Sequence, residues 1–339
     1  MKRDYQKPNI LIIGNYNKNT GPSIVTKNIK KNMQYKCDYI KNKNSLLKIF
    51  ELILKYFHND IIIFSGISKM NIITIYLKKV LKKPIIYIMH GYNKTENRIN
   101  NVSNKESEEI EKNILMNVDK IICVSEKFCN YMKNQLPLLK NKITYINNGI
   151  EWEILNKINS NQKIIKNNII SIGGGMKRKN NLDICRAIEK INKDCEEELT
   201  FTIIGPKGED IEEILKFSFV EYIECMSHEQ VLEKLTKSKL YIQNSYFETF
   251  GLAPLEALLS GCNLLCSKEV GALSIITNLK KEDIIENNED IDEIVEKIKF
   301  NLDNSNRERL LDSIDKDKTT WKSFGEALIE EVKMTLNDF

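Results

Sequence analysis

The sequence contains no CxxC pair and only three histidines. Its eight cysteines, Cys37, Cys123, Cys129, Cys185, Cys195, Cys225, Cys262 and Cys266, are scattered, several of them inside apolar runs. A zinc site needs thiol and imidazole ligands at short, regular spacing, and His58, His90 and His228 stand at no such spacing to any cysteine. The cysteines therefore read as small buried hydrophobes of a reducing compartment. No run of 18 apolar residues occurs, so no transmembrane helix is expected. Met1-Lys2-Arg3-Asp4-Tyr5 leads directly into a strand-like segment, without the apolar stretch and cleavage site of a secretion signal. The expectation is a cytoplasmic protein.

What is present is ordinary in bulk and uneven in charge. With 339 residues the chain exceeds what one hydrophobic core usually serves, which favours two domains. Hydrophobic residues make up 42% and charged residues 29%, values typical of a globular protein. Residues 1–150 hold 26 Lys and Arg against 11 Asp and Glu, a net of +15; the remainder holds 25 against 36, a net of −11. A basic half suggests an anionic partner, a membrane surface or a nucleic acid. No nucleic-acid-binding module or basic motif interleaved with aromatics accompanies it, so nucleic acid is not expected.

Short β-branched runs alternate with helical patterns along both halves. Strands are predicted at 9–14, 60–64, 84–89, 120–124 and 142–146, then at 169–172, 199–204, 220–224, 240–243 and 263–266. Helices of the second half are predicted at 183–192, 209–217, 229–237, 252–259 and 291–302. Continuous apolar strands separated by helices indicate parallel sheets covered on both faces. The fold class is α/β, with two doubly wound, Rossmann-like domains at 1–150 and 151–320. Asn148-Gly149-Ile150 and the polar stretch 156–168 read as their junction. In such sheets ligands bind beyond the carboxyl ends of the strands, which places a shared cleft at those ends.

The most informative segment runs from Ser245-Tyr246-Phe247-Glu248-Thr249-Phe250-Gly251-Leu252 to Ala253-Pro254-Leu255-Glu256. It follows a strand and opens a helix. Gly251 permits close backbone approach, and Pro254 suits a first helical turn. The free amides of Thr249 to Leu252 at a helix N-terminus make a site for a diphosphate. Glu248 and Glu256 flank it, and a carboxylate can accept two hydrogen bonds from a vicinal diol of a ribose or a sugar. Alone, Glu256 reads as an exposed residue of an ordinary amphipathic helix; the combined context outweighs that reading.

A second segment is Ile172-Gly173-Gly174-Gly175-Met176-Lys177-Arg178-Lys179. A glycine-rich turn followed by three basic residues can cradle phosphate, and basic charge ahead of a helix is unfavourable unless an anion offsets it. Gly205-Pro206 ends another strand, and Val270-Gly271-Ala272 forms a further loop; both also fit ordinary turns. His90 ends a strand and precedes Gly91, where it can bond a donor sugar or orient an acceptor. Asp290-Ile291-Asp292 and Asp315-Lys316-Asp317 match D-x-D as text but lie in charged helical stretches, so no metal site is expected.

Leu46, Leu47, Phe50, Leu54 and Phe57 recur at helical spacing among Lys41, Lys43, Lys48 and Lys55, and Lys78, Lys79, Lys82 and Lys83 add a second basic cluster. A basic amphipathic helix can lie on an anionic bilayer. It can equally pack on its own sheet and leave a solvated lysine face. The basic half tips the balance towards peripheral membrane contact.

The Glu248–Glu256 segment resembles the E-x7-E signature of the large retaining family 4 of GT-B glycosyltransferases. Gly14 with Thr20-Gly21-Pro22-Ser23 resembles the family's N-terminal glycine loop. His90-Gly91 resembles its acceptor-side histidine, Asp119 to Ser125-Glu126 a further conserved block, and Asn147-Asn148-Gly149-Ile150 the interdomain turn. The resemblance implies an acceptor domain at 1–150, a nucleotide-sugar domain at 151–320 and a C-terminal helix at 321–339 crossing back to the first domain. It implies a hexosyltransferase that moves sugar from a nucleoside diphosphate, UDP-sugar favoured, to a hydroxyl with retention, without metal or other cofactor. The acceptor it implies is a lipid-linked glycan of cell-surface polysaccharide or glycoconjugate synthesis, handled at the inner face of the plasma membrane.

By the same resemblance Glu248, His90 and Lys179 are catalytic, and Glu256 binds the donor ribose. Phe250, Gly251 and Leu252 supply amides, while Gly174, Arg178, Gly205 and Gly21 line the donor site. The family places an arginine where this chain has Gly174, which leaves open whether Arg178 replaces it. A nucleotide-sugar epimerase of the same fold and a non-catalytic partner subunit are the alternatives.

Overall fold

The computed structural model describes residues 7–16, 21–33, 35, 37–157, 165–194 and 196–339. The opening pentapeptide, Thr20, Cys195 and residues 158–164 of the expected junction lie outside the described residues. In chain order the first elements are β1 (Ile10–Gly14), α1 (Gly21–Asn32), β2 (Cys37–Tyr39), α2 (Ser45–His58), β3 (Ile61–Ser65) and α3 (Lys69–Leu81). They are followed by β4 (Ile85–Met89), α4 (Asn93–Ile99), α5 (Lys105–Asn117), β5 (Lys120–Cys123), α6 (Glu126–Gln135) and β6 (Ile143–Tyr145). Next come β7 (Ile165–Ile172), α7 (Asn181–Asn192), β8 (Thr200–Ile204), α8 (Ile211–Ile214), β9 (Val220–Ile223) and α9 (His228–Lys237). The chain ends with β10 (Ser238–Gln243), α10 (Leu252–Ser260), β11 (Asn263–Ser267), β12 (Ile284–Ile285), α11 (Ile291–Asp303), α12 (Arg307–Asp312) and α13 (Trp321–Asp338).

The chain divides into two compact units. One holds the chain up to Thr95, Ser103–Gly149 and Asp317–Phe339; the other holds Glu96–Val102 and Ile150–Lys316. Each is built on a six-stranded parallel sheet, in the orders β2-β1-β3-β4-β5-β6 and β12-β11-β10-β7-β8-β9. The α/β expectation of two doubly wound sheets is what the structure shows. Every residue of β3 and β4 is buried, as expected of β-branched strands with helices on both faces. Burying each such isoleucine contributes roughly 1.5–3 kcal/mol before the entropy of ordering is subtracted.

The strand orders fix where a ligand can bind. In the first sheet the direction in which successive strands are added reverses between β1 and β3, and in the second between β7 and β10. At such a switch point the connections leave to opposite faces and open a crevice beyond the strand ends. The glycine turn after β7 and the Glu248 segment after β10 therefore start from adjacent strand ends.

Several boundaries differ from the sequence reading. The helix expected over 209–217 is a single turn, α8, because its last amides bond three residues back: Lys216 to the Glu213 carbonyl and Phe217 to that of Ile214. β2 and β12 are strands of three and two residues, too short for a periodic signal. β7 begins at Ile165, so residues 165–168 of the expected junction are strand. α13 returns to the first unit. A Cβ on Gly325 would stand 3.4 Å from the Asn32 carbonyl at the end of α1, and Lys120 lies 3.1 Å from Glu331. Gly149 is required there, since a Cβ would stand 2.6 Å from the Trp321 backbone.

Cys123, Cys129, Cys185, Cys262 and Cys266 are buried thiols, Cys37 is half-buried and Cys225 exposed. No helix among the described residues is long and apolar enough to cross a membrane.

Candidate functional site

At the β7–β10 switch point the two sequence motifs meet. Lys177–Lys179 form a single 3-10 turn rather than the start of a helix, closed by Asn180 in the left-handed region at φ 51°. The loop after β10 is tied to this turn, because the Tyr246 amide donates to the Arg178 carbonyl at 2.9 Å. The Arg178 guanidinium reaches across and donates to the Phe247 carbonyl at 3.0 Å.

Three charges converge there. Lys179 donates to Glu248 Oε2, and Arg178 Nη1 lies 3.5 Å from the same oxygen. All three side chains keep no more than 14% of their surface exposed. Burial works to raise the Glu248 carboxyl, but Lys179 and Arg178 outweigh it and hold the group below the ordinary glutamate range. Burial likewise pulls the Lys179 ammonium below the usual lysine value, against the attraction of Glu248. Gln243, the last residue of β10, donates to Glu248 at 3.1 Å and accepts from the Tyr241 hydroxyl at 2.8 Å. Glu248 is thus held from both sides. Two cations converge on one carboxylate, Glu96 acts on Lys179 from further off, and Arg178 Nε is buried without an acceptor.

The glycines around this cluster have a steric cause. The Gly173 and Gly174 amides donate to the Ile204 carbonyl, and the Gly175 amide donates to that of Pro206. These bonds fasten the turn after β7 to the turn after β8. A Cβ on Gly174 would lie 1.9 Å from the Pro206 oxygen, and one on Gly205 would lie 2.6 Å from the Gly174 nitrogen. The amides of this turn are therefore committed within the fold. What it offers an anion is the side chains of Arg178 and Lys179, not a cradle of N–H groups.

The second motif residue lies one helix away. Gly251 caps α10 at φ 89°, a conformation that favours glycine. The first turn of α10 presents amides outside the intrahelical ladder, with Pro254 seated where no donor is needed. Phe250 is buried and its carbonyl accepts from Ala272 at 2.7 Å, while Glu248 accepts from Gly271 at 3.0 Å. The loop before α10 is therefore braced by the Val270-Gly271-Ala272 loop. Glu256, inside α10, bonds His228 Nε2 at 3.0 Å. His228 opens α9, whose start is fixed by a Ser227–Gln230 capping box.

In the first unit, the switch point between β1 and β3 gathers a separate group. His90 Nε2 lies 2.9 Å from Ser65 Oγ, which lies 2.7 Å from Thr26 Oγ1, and Thr26 donates to the Pro22 carbonyl at 2.8 Å. Burial depresses the His90 imidazole to about 4, so it is neutral near pH 7. A Cβ on Gly14 would stand 2.9 Å from Ser65, which explains glycine there. Gly21 has open space around it and opens α1; nothing steric requires glycine at that position.

Sequence reasoning missed Gln243, Tyr241, His228, Ser65 and Thr26. Only Gln243 had a visible signal, as a polar residue ending an apolar strand just before the motif. Asp290 of the first D-x-D match is the cap of α11, accepting from Asp292 and Glu293 at 3.0 Å each. Among the described residues no group of three or more His, Cys, Asp or Glu is placed to hold a metal.

Comparison with known proteins identifies the fold and the family. The family model described as glycosyl transferases group 1 matches residues 152–317, and that described as glycosyltransferase family 4 matches residues 35–153. No curated protein matches by sequence. Among solved structures, Anabaena HepE is similar at 12% identity and a TM-score of 0.72, over 96% of this chain and 100% of that one. Sucrose-phosphate synthase from Thermosynechococcus elongatus is similar at 13% and 0.70, over 98% and 100%. An α,α-trehalose-phosphate synthase (UDP-forming) from Burkholderia vietnamiensis is similar at 9% and 0.71, over 97% and 98%. At these identities the likeness carries the fold, and the two matched models carry the family: the chain belongs to the GT-B glycosyltransferases of the family 4 type.

Proposed function

We propose that the protein transfers a hexose from a UDP-sugar to a hydroxyl of a lipid-linked glycan, with retention of configuration and without a metal. The carrying observation is the convergence of Arg178 and Lys179 on Glu248, with Arg178 Nε buried and without an acceptor. A diphosphate lying against these cations and the first-turn amides of α10 would gain charge-assisted hydrogen bonds as the leaving group takes on charge. That is work a divalent ion does in other transferases. HepE has been crystallised with UDP and glucose and with UDP-glucose, which supports a UDP-sugar as donor.

In this reading Glu256 receives the ribose hydroxyls, with His228 holding its carboxylate in place. Glu248 and Gln243 orient the sugar and the leaving phosphate. The departing phosphate accepts the proton of the attacking hydroxyl, and catalysis rests on positioning and charge stabilisation. Neutral His90 contributes a hydrogen bond and no charge. The acceptor's lipid places the enzyme at an anionic membrane surface, in cell-surface polysaccharide or glycoconjugate synthesis, and the basic first 150 residues support that placement.

A thermal-shift panel of nucleotides tests the donor site. UDP should stabilise the protein, and Glu256→Ala should weaken UDP binding about tenfold or more, the worth of hydrogen bonds to a charged group. Equal UDP shifts in the wild type and Glu256→Ala would remove Glu256 from the site.

A further inference from the structure

α2 is amphipathic with its apolar side turned to solvent. Its inward side is firmly held: Leu52 and Tyr56 are buried, and the Glu51 carboxylate accepts from the amides of Lys41 and Asn42 at 2.9–3.1 Å. Lys83 Nζ donates to the carbonyls of Tyr56, Phe57 and Asn59 at the helix end. The opposite side is a row of Leu46, Leu47, Phe50, Leu54 and Phe57, with Leu46 78% and Phe50 62% exposed. α3, which packs beside α2, adds Tyr76 and Val80, the latter 79% exposed. The alternative of a helix that leaves only a solvated lysine face does not hold, since the solvated face is apolar. Contiguous apolar surface of this kind marks an interaction site.

The charges around the row decide what covers it. Lys41 and Lys43 precede α2, and Lys79 and Lys82 end α3. Among the described residues none of these four has a carboxylate within ion-pair distance, and Lys79 Nζ sits 5.2 Å over the Tyr76 ring. A two-fold dimer through this face would set the lysines of one copy against those of the other. An anionic bilayer satisfies both parts, taking the Leu and Phe row into the headgroup–acyl boundary and pairing lysines with lipid phosphates. We infer that the outward face of α2, with Tyr76 and Val80 of α3, inserts into the surface of an anionic membrane. This rests on the proposal that the enzyme works at such a surface and names the element that makes the contact.

Co-sedimentation of the full chain with phosphatidylglycerol–phosphatidylcholine vesicles tests it. The wild type should pellet at low salt, with much weaker partition to pure phosphatidylcholine. The double variant Phe50→Asp, Phe57→Asp should lose at least tenfold in partition at an unchanged melting temperature, since both side chains lie at the surface. Lys41→Glu, Lys43→Glu should lose binding to anionic vesicles alone. If the wild type pellets and the aspartate variant pellets equally, the contact lies elsewhere; the inference is overturned and the membrane reading stands. If the wild type does not pellet at all, both fall. If light scattering shows a dimer that the aspartate variant converts to monomer with vesicle binding unaltered, the face joins two copies and the inference is wrong.

Discussion

The Pro206 carbonyl oxygen lies 1.9 Å from the point where a Cβ on Gly174 would stand. Gly174 also has φ 62°, and its own carbonyl accepts from Asn181 at 2.7 Å. The position has no room for any side chain, so the arginine that the family resemblance places there cannot be restored. We predict that Gly174→Arg costs about 3 kcal/mol or more, from left-handed strain and overpacking together. That corresponds to a melting temperature lower by roughly 5–10 °C. Activity should fall with it. A soluble Gly174→Arg protein that melts like the wild type and turns over faster would refute the assignment of Arg178 as the working arginine.

Glu248 and Glu256 should separate by phenotype, although the sequence motif pairs them. Glu248 is the counter-charge of two buried cations, whereas Glu256 lies within α10 and bonds His228. Glu248→Gln removes the carboxylate that Lys179 and Arg178 both contact, and removing one partner of a buried pair costs roughly 3 kcal/mol. Added UDP should restore much of that loss, because the diphosphate takes over the neutralising role. kcat should nevertheless drop roughly 100-fold, the scale of losing one preorganised group at the reacting centre. Calorimetric titration of UDP and initial-rate kinetics check the two halves. UDP binding lost as severely in Glu248→Gln as in Glu256→Ala would contradict the division of labour.

Much of this arrangement was legible in the sequence, for a physical reason. Fully buried parallel strands must be continuously apolar, so Ile61–Phe64 and Ile85–Met89 stand out without alignment. The turn before α10 was visible because Gly251 and Pro254 answer local needs of a helix start and two glutamates flank them. What stayed hidden depends on contacts distant in sequence. Nothing near His228 announces that it meets Glu256, 28 residues on. The three adjacent glycines suggested an amide cradle, but their N–H groups bond Ile204 and Pro206, partners that only the β7–β8 pairing supplies. The period of Leu47, Phe50, Leu54 and Phe57 predicts a helix with an apolar stripe and is silent on which way the stripe faces.

His90 links stability to pH in a direction set by its burial. The imidazole is depressed to about 4 in the folded chain, against an ordinary value near 6.5. The unfolded chain therefore takes up a proton first as pH falls. The folded state loses stability from about pH 6.5 downward, and the loss levels off below about pH 4. Between pH 7 and pH 5 this one group should cost about 1.5 kcal/mol, a figure trimmed for the solvent contact its side chain retains. His90→Asn does not titrate there, so its unfolding free energy should change less over the same interval, whatever the lost Ser65 bond does to its value at pH 7. Urea unfolding of both proteins at the two pH values reads the difference of slopes directly. Parallel slopes would mean that His90 is protonated as readily in the folded chain as in the unfolded one, and the neutral role proposed for it near pH 7 would lose its basis.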